Sequence, residues 1–371
     1  MISGISCFFS VGTLTAIGAD QAAKPRLQYD HAGIEVPAAR GDEPVRSEFS
    51  LSHAVRYLEQ GANAWVGNRG CVSCHTPGTY MTTFPALTPF LGKPSSELRK
   101  FFISELIDFK AYSKEKFQKG TSIAQVVYIA AGLAEWDRHV AKELSPETAD
   151  ALTLMFSQQQ ENGAWQSLDC WPPFESSAFQ EATVAAMAAV TAPGWLDENE
   201  AGRARFQRTL NYLRTTRPRH DYERVLLLRA STSIDRLIST DERRKIIGMV
   251  LKHQRPNGGW SIRSFAQPDE WGKGNRAKKL RAESEFENPP SDGHMTGLCV
   301  MALRGAGVPA ADEHLAKAVS WLLKNQRESG RWWTRSLNTD KYHFITYSGT
   351  AYPLLALAKC GKLPAFTAEQ K

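Results

Sequence analysis

The feature that most constrains the fold is a short element that recurs along the chain, in which a glutamine is followed by a glycine and then a tryptophan. Its copies are Gln158-Gln-Gln-Glu-Asn-Gly-Ala-Trp165, Gln254-Arg-Pro-Asn-Gly-Gly-Trp260 and Gln326-Arg-Glu-Ser-Gly-Arg-Trp332, with a looser copy at Gln60-Gly-Ala-Asn-Ala-Trp65. Each follows an amphipathic helical pattern, the glycine favours a left-handed stop, and Asn or Ser favours a turn. Recurrence of this kind indicates one supersecondary unit repeated along the chain.

The repeats divide the chain into six predicted helical hairpins. They pair residues 50–60 with 71–91, 95–110 with 119–135, 146–161 with 175–191, 198–215 with 221–233, 240–254 with 292–305, and 312–327 with 344–359. The second helix of several pairs is rich in alanine and almost uncharged, as in 183–190 and 350–357. Helices that are apolar all round are buried ones, so the second helices should form an inner ring. The sequence therefore predicts an all-α fold, an (α/α)6 toroid.

Segments outside the repeats complete the predicted domain organisation. Residues 1–19 carry no charged side chain and end in small residues, which is typical of a secretory signal peptide cleaved after Gly18 or Ala19. A disordered N-terminal tail is the alternative. We expect an irregular leader at 20–46, the toroid at 47–361 and a tail at 362–371. The insertion 261–290 interrupts the fifth hairpin, and we interpret it as a lid, a docking surface for a redox protein, or a disordered loop.

Charge and hydropathy exclude two classes of partner. The formal net charge is +6, and the 45 basic residues are interspersed with 39 acidic ones, so no basic patch points to nucleic acid. No apolar run beyond the N-terminal segment approaches the ~18 residues of a membrane-spanning helix. We therefore expect a mature chain without a transmembrane segment, exported to the periplasm or beyond.

The motif Cys71-Val-Ser-Cys74-His75 carries the strongest chemical signal. In an exported chain, Cys-x-x-Cys-His is typical of covalent c-type haem attachment, with two thioether cysteines and the adjacent histidine on the iron. A zinc half-site, a redox-active thiol pair and a chance match are the alternatives. A zinc site would need a second Cys/His pair elsewhere.

A second axial ligand for that haem is predicted from the ring arrangement. Met81 follows His75 too closely to reach the other haem face. His343 opens the last inner helix, and in a closed ring the sixth and first hairpins are neighbours. His343 is therefore the candidate for the second axial ligand. Tyr347 lies in the same run of sequence, and we expect it to contact the haem. A vacant or water-bound position and a plain capping role for His343 remain open.

The repeated elements resemble the QW motifs of squalene–hopene cyclases and of the related protein prenyltransferases, which share the α/α toroid. The whole chain, with its Cys-x-x-Cys-His motif, also resembles a group of exported planctomycete squalene-cyclase-like proteins. The Asp-x-Asp-Asp protonation motif of the cyclases is absent. Asp292 and His294, with His343, are similar to the prenyltransferase zinc site, but His294 stands where that family has its cysteine. The resemblance thus implies a possible metal trio at these residues.

Two carboxylates are candidates for acid–base catalysis, namely Glu175 and Asp292. Each also opens a predicted inner helix, where a carboxylate caps the helix or stabilises its dipole. The sequence leads to three functional hypotheses. The first is a c-type haem protein in electron transfer or haem-dependent oxidoreduction. The others are a toroid that binds or converts an isoprenoid or other apolar molecule, and a zinc-binding structural module.

Overall fold

The computed structural model describes residues 26–174 and 177–366. The predicted signal segment 1–19, residues 367–371 of the predicted tail and the candidate Glu175 lie outside these residues. Within the described part, the chain is mainly helical with one small sheet. The helices are α1 (Leu51–Arg69), α2 (Pro77–Met81), α3 (Thr88–Leu91), α4 (Ser96–Lys110), α5 (Lys114–Phe117), α6 (Ser122–Trp136), α7 (Pro146–Ser157), α8 (Ala178–Thr191), α9 (Trp195–Glu198), α10 (Glu200–Thr215), α11 (Asp221–Ala230), α12 (Thr240–Lys252), α13 (Ala277–Arg281), α14 (Gly293–Gly305), α15 (Glu313–Lys324) and α16 (Ile345–Lys359).

Six of these elements form a closed inner ring. Helix α2 packs against α6, and the contacts continue through α8, α11, α14 and α16 and back to α2. The outer helices α1, α4, α7, α10, α12 and α15 each pack against an inner helix. Almost every residue of α14 is buried, whereas α15 buries one face, as expected for an inner and an outer helix. The predicted all-α toroid of six hairpins is confirmed by these contacts.

The tryptophan and glycine of each repeated element stabilise the end of an outer helix. The indole N–H groups of Trp165, Trp260 and Trp332 donate to the carbonyl oxygen ten residues earlier, at 2.7–2.8 Å. The preceding glycines, Gly163, Gly258 and Gly330, have φ near +90°. A Cβ at Gly330 would lie 2.4 Å from the carbonyl carbon of His53, so this close approach excludes a larger residue.

The glutamine of each element connects one hairpin to the next. Gln159 Nε2 donates to Arg205 O in α10 at 3.0 Å, and Gln254 Nε2 donates to His314 O in α15 at 2.8 Å. Gln326 closes the ring, because its Nε2 donates to Ser50 O at 2.9 Å and its Oε1 accepts from Ser50 N at 2.6 Å. The repeated elements therefore join neighbouring outer helices, including the last to the first.

The looser copy at 60–65 is not such an element. Gln60 and Trp65 both lie inside α1, which continues to Arg69 and ends at Gly70 with φ 56°. The copy lacks a glycine four residues after its glutamine, so nothing in it stops the helix. This sequence prediction was wrong.

Part of the segment expected to be an irregular leader forms a β-hairpin. Strands β1 (Leu27–His31) and β2 (Ile34–Pro37) are antiparallel, and the turn residues Ala32 and Gly33 both have positive φ. Such a two-residue turn matches the twist of the flanking strands. The hairpin packs on α1 and places Tyr29 in the core, 3% exposed.

The insertion 261–290 folds over the rim of the ring. It contains short 3₁₀ turns at Ile262–Phe265 and Pro268–Glu270, followed by α13. Trp271 is buried against His220, with ring centroids 5.0 Å apart, and Arg263 Nη2 donates to Glu283 Oε1 at 2.9 Å. No described helix is long and apolar enough to cross a membrane.

Candidate functional site

The Cys71–His75 motif forms the connection between α1 and the inner ring. Gly70 ends α1 and Pro77 begins α2, so the motif lies at the ring's rim. The indole N–H of Trp65 donates to Cys71 O at 3.1 Å. The backbone N–H of Val72 donates to Gln125 Oε1, in α6, at 3.2 Å. The motif is thus held by a helix on each side.

The motif lines a cavity of about 730 Å³. This volume falls within the range of small-molecule and cofactor sites, roughly 300–1,000 Å³. The other walls are mostly apolar and aromatic, and neither Asp nor Glu occurs among the described residues that line it. The walls include Trp65, Arg69, Gln125, Leu168, Trp171, Pro172, Pro173, Phe174, Ser336, Asn338, Thr339, Tyr342, Phe344 and Ile345.

His75 is fixed by two rings and a hydrogen bond. Phe344 stacks on the imidazole with centroids 4.9 Å apart and an angle of 17°, and Trp65 meets it edge-on at 4.7 Å. Nδ1 lies 2.8 Å from Thr76 Oγ1, which lies 3.1 Å from the hydroxyl of Tyr29 in the N-terminal hairpin. Burial lowers the pKa of His75 to about 3, so the ring is neutral near pH 7. In the tautomer that donates Nδ1–H to Thr76, Nε2 keeps its lone pair for a metal.

Neither cysteine of the motif is in a disulfide, and Cys71 is partly exposed whereas Cys74 is buried. Burial raises the pKa of Cys71. A nucleophilic or redox-active cysteine needs a lowered pKa, because the thiolate is the reactive form. The surroundings of Cys71 therefore disfavour the redox-thiol interpretation.

A zinc site finds little support in the described residues. No group of three or more His, Cys, Asp or Glu side chains in this part of the chain is arranged to hold a metal ion. Among residues 26–174 and 177–366, no second Cys/His pair of the kind that a zinc half-site needs lies beside the motif. Asp292, His294 and His343 do not form the trio that the resemblance implies.

The structure does not bring His343 to His75. His343 lines a different cavity, of about 860 Å³, beside the N-terminal hairpin. Its Nδ1 accepts from the backbone N–H of Ser336 at 3.0 Å, and its ring lies edge-on to Trp333. The predicted pairing fails because consecutive residues at the start of the last inner helix face different ways, and Phe344 is the one that covers His75.

Tyr347 and His294 belong to the core. The hydroxyl of Tyr347 donates to Leu58 O at 2.5 Å, and the side chain is fully buried among other tyrosines. His294 is also fully buried, with Nε2 3.1 Å from the hydroxyl of Tyr222 and Nδ1 2.7 Å from Ser348 Oγ. Neither lines the motif's cavity, so the cofactor-binding role predicted for Tyr347 and the metal role predicted for His294 are not supported by their positions.

Asp292 caps α14. Its carboxylate accepts from the backbone N–H groups of Met295 at 2.9 Å and Ile262 at 2.7 Å, and from Thr334 Oγ1 at 3.3 Å. Burial raises the pKa of Asp292 to about 6. The residue does not line the motif's cavity. Its surroundings fit the capping role, which the sequence had left open beside the catalytic one.

Several residues of this site were not foreseen. Trp171, Pro172, Pro173 and Phe174 form a wall of the cavity, and their run of aromatic residues and prolines is visible in the sequence. Thr76 and Tyr29 support the imidazole. Nothing in the sequence links Tyr29 to the motif, because they lie 42 to 46 positions apart along the chain and meet only through the hairpin's packing on α1.

Comparison with known proteins gives structural likeness alone. No family model matches the chain, and no curated protein matches it. Among solved structures, the chain is similar to the type II terpene cyclase MstE from Scytonema, with 14% identity and a TM-score of 0.45 over 83% of this chain and 96% of that one. A variant of the same cyclase bound to its substrate, geranylgeranyl dihydroxybenzoate, has 14% sequence identity and a TM-score of 0.46. The match covers 84% of this chain and 96% of that one. Another variant of the cyclase, bound to its product merosterolic acid A, has 14% sequence identity and a TM-score of 0.42. The match covers 84% of this chain and 100% of that one.

Proposed function

We propose that the protein is an exported c-type haem protein that acts in electron transfer or haem-dependent oxidoreduction. In this proposal Cys71 and Cys74 form the thioether bonds, and His75 is an axial ligand of the iron. One observation carries the proposal, namely that all three side chains of the motif line the same cavity of about 730 Å³. The bound haem would supply one-electron chemistry, and the protein would supply attachment, orientation and surroundings.

The chemistry of the cavity fits a haem. Neither thiol is in a disulfide, and the neutral imidazole of His75 has its Nδ1 2.8 Å from Thr76 Oγ1. Hydrogen bonding at one ring nitrogen is the usual way in which a ligating histidine is oriented. The aromatic walls suit the faces of a porphyrin. Arg69 lies at the same cavity and offers a guanidinium to a carboxylate of the ligand.

Export is part of the same proposal. It rests on the uncharged segment 1–19, which lies outside the described residues. A mature, periplasmic protein would receive its haem outside the cytoplasm. The insertion 261–290, folded on the rim, is our candidate for a contact with a redox protein.

The test is a pyridine haemochrome spectrum of the full chain, produced in the periplasm together with c-haem maturation enzymes. The wild-type protein should retain haem through acid–acetone extraction and give the spectrum of a haem with two thioethers. The Cys71→Ala/Cys74→Ala variant should give none. Cys360→Ala is the matched control, because this cysteine lies at the end of α16 and does not line the cavity. Wild-type protein free of covalent haem would overturn the proposal.

An apolar ligand, such as an isoprenoid, is the second candidate for the same cavity. The observation that favours it is the aromatic wall formed by Trp171, Phe174 and Phe344. Acid-initiated cyclisation would need a proton donor in the cavity. Glu175 directly follows Phe174 in sequence and is the remaining candidate. Lipid extraction of the purified protein followed by mass spectrometry, with Glu175→Gln assayed on any isoprenoid found, tests this function, and a protein free of lipid would contradict it.

A further inference from the structure

The cavity of about 860 Å³ beside the N-terminal hairpin is a second place where a ligand fits, and we call it the hairpin cavity. Its walls come from residues 37–44, at and after the end of β2, and from the segment 329–343 that leads into α16. No described residue lines both this cavity and that of the motif. We propose that the hairpin cavity binds a small organic molecule through a carboxylate or phosphate group. This inference goes beyond the proposed function and does not depend on a haem.

Every carboxylate in the described lining of the hairpin cavity is already paired with an arginine of the same cavity. The pairs are Arg40–Asp42 at 2.5 Å, Arg331–Glu43 at 3.0 Å and Arg335–Asp340 at 3.3 Å. The other two basic side chains of this lining, Arg26 and Lys341, are exposed, and neither forms an ion pair with a described carboxylate. Five basic against three acidic side chains leave the lining with a formal charge of +2. The charge that remains uncompensated is therefore positive.

Two ring nitrogens in the wall of the hairpin cavity are available to a ligand. Nδ1 of His343 accepts from the backbone N–H of Ser336 at 3.0 Å, so the proton of the neutral ring lies on Nε2. The ring lies edge-on to Trp333 with centroids 4.5 Å apart, and an indole Nε1–H is always a donor. Neither His343 Nε2 nor Trp333 Nε1 has a hydrogen-bond partner among the described residues. Neither is one of the fully buried unpaired atoms of that part of the chain, so each keeps accessible surface in a residue that lines the cavity.

The wall that carries these groups is held in place by Arg331, which is 4% exposed. Its Nη1 donates to Pro37 O at 2.7 Å, its Nε donates to Ser329 Oγ at 2.7 Å, and its Nη2 donates to Glu43 Oε2 at 3.0 Å. These bonds join the end of the N-terminal hairpin to the last repeated element. A site whose walls are fixed before binding loses less conformational entropy when a ligand enters.

The groups left over in the hairpin cavity select an oxyanion. They are two cations and two N–H donors, and each carboxylate of the described lining has its own partner. The oxygens of a carboxylate or a phosphate accept hydrogen bonds from both kinds of group. The cavity is much larger than an inorganic ion needs and falls in the range of sites for organic ligands. Pro37, Ala38, Pro44 and the indole of Trp333 offer apolar surface to the rest of such a molecule.

The test measures binding of benzoate and of phenyl phosphate to the full chain by isothermal titration calorimetry. At least one of these anions should bind, and the tighter one identifies the preferred group. Benzamide, the uncharged analogue of benzoate, should bind at least about tenfold more weakly than the tighter anion, because it cannot form charge-assisted hydrogen bonds. Acetate or inorganic phosphate, the counterpart of the tighter anion without its ring, should also bind more weakly.

Two variants locate the binding in the hairpin cavity. Trp333→Phe keeps an aromatic ring but removes the N–H, and it should weaken binding of the tighter anion about tenfold. Arg26→Gln/Lys341→Gln changes exposed positions only and should weaken binding roughly three- to tenfold. The matched control is Lys324→Gln/Lys362→Gln, which removes two positive charges from exposed positions outside the cavity and should leave the affinity unchanged.

Each contrary result has a separate meaning. Binding of neither anion, or binding of benzamide as tight as that of the anions, would overturn the site. Equal losses in Arg26→Gln/Lys341→Gln and in its control would overturn it too, because the affinity would then follow net charge rather than this cavity. Unchanged affinity in Trp333→Phe would overturn the role of its N–H, and equal binding of the ringless anion would overturn the organic ligand. None of these results bears on covalent haem, which the haemochrome spectrum measures separately.

Discussion

Phe344 stacks on the imidazole of His75, with ring centroids 4.9 Å apart and an angle of 17°. The two residues come from the last and the first hairpins, which the closed ring makes neighbours. The sequence places His343 at this junction, yet the residue that reaches across is the next one along. His75 is therefore confined by an aromatic surface, and its free nitrogen is the group left for a metal.

In the haem-loaded protein that we propose, the hydrogen bond between His75 and Thr76 should set the strength of the bond between His75 and the iron. We expect Thr76→Val to retain covalent haem, because the thioether bonds do not involve Thr76. Loss of such a supporting partner typically weakens a metal–ligand bond about 10- to 100-fold. Acid should then displace the imidazole at a pH about one to two units higher than in the wild type, as followed by absorption spectra. Thr83→Val, which removes a hydroxyl bonded to Thr79 O inside the inner ring, is the control. An unchanged acid transition would contradict this role.

His343 should have no influence on the iron. We expect His343→Ala to leave the spin state and imidazole affinity of the haem-loaded protein unchanged. It should lower the free energy of unfolding by about 1–3 kcal/mol, because the buried backbone N–H of Ser336 loses its acceptor. Absorption spectra and urea denaturation measure the two effects. A change from a low-spin to a high-spin spectrum in this variant would instead identify His343 as an iron ligand.

Gln326 should contribute strongly to the closure of the ring. Its side chain bonds to both backbone groups of Ser50 and also donates to Gly330 O at 3.0 Å. At about 1 kcal/mol for each bond, Gln326→Leu should lower the free energy of unfolding by about 3 kcal/mol. The matched control is Gln158→Leu, since Gln158 bonds to the adjacent Ser157 hydroxyl and should cost at most about 0.5 kcal/mol. Equal urea midpoints for the two variants would contradict the contribution of Gln326 to the closure of the ring.

His294 should make the protein less stable in acid. Burial lowers its pKa to about 3 in the folded state, whereas the unfolded value is near 6.5. The unfolded chain therefore takes up the proton first, so the stability is present above pH ~6.5 and is lost as the pH falls towards 3. Between pH ~6.5 and ~4.5, protonation of His294 in the unfolded chain should lower the free energy of unfolding by about 3 kcal/mol. His294→Gln keeps hydrogen-bonding groups without the titration, so the stability difference between wild type and variant should shrink over that range. If the difference in the free energy of unfolding between wild type and His294→Gln stays constant with pH, His294 does not cause the loss of stability in acid.

Hydrophobic periodicity was enough to predict most of the inner and outer helices, because a helix buried all round differs in composition from one buried on a single face. The predicted inner helix 71–91 was wrong as a continuous helix, because its helical parts are the short segments Pro77–Met81, Pro85–Leu87 and Thr88–Leu91. The repeated glutamine, glycine and tryptophan marked the helix ends. The copy at 60–65 does not mark a helix end, because the glycine that stops α1, Gly70, lies five residues after Trp65. The hairpin at 27–37 depends on the local turn at Ala32 and Gly33, which the helical pattern does not reveal.

The candidate site was predicted only in part. The motif residues could be selected from their spacing, and the structure shows that they line one cavity, whereas their role in binding a cofactor stays a prediction. The directions of His343 and Phe344, however, depend on how the last helix begins, and the core position of His294 depends on Tyr222 and Ser348 from two other helices. Adjacent positions at a helix start look equivalent in a sequence until the packing of neighbouring helices distinguishes them.

The most direct test of the account is the intact mass of the denatured full chain after production with c-haem maturation enzymes. The wild-type chain should gain the mass of one haem, Cys71→Ala/Cys74→Ala should gain none, and Cys360→Ala should behave as the wild type. A wild-type chain with the mass of the polypeptide alone would contradict the account. The cavity and any apolar molecule that it carries would then become the leading explanation.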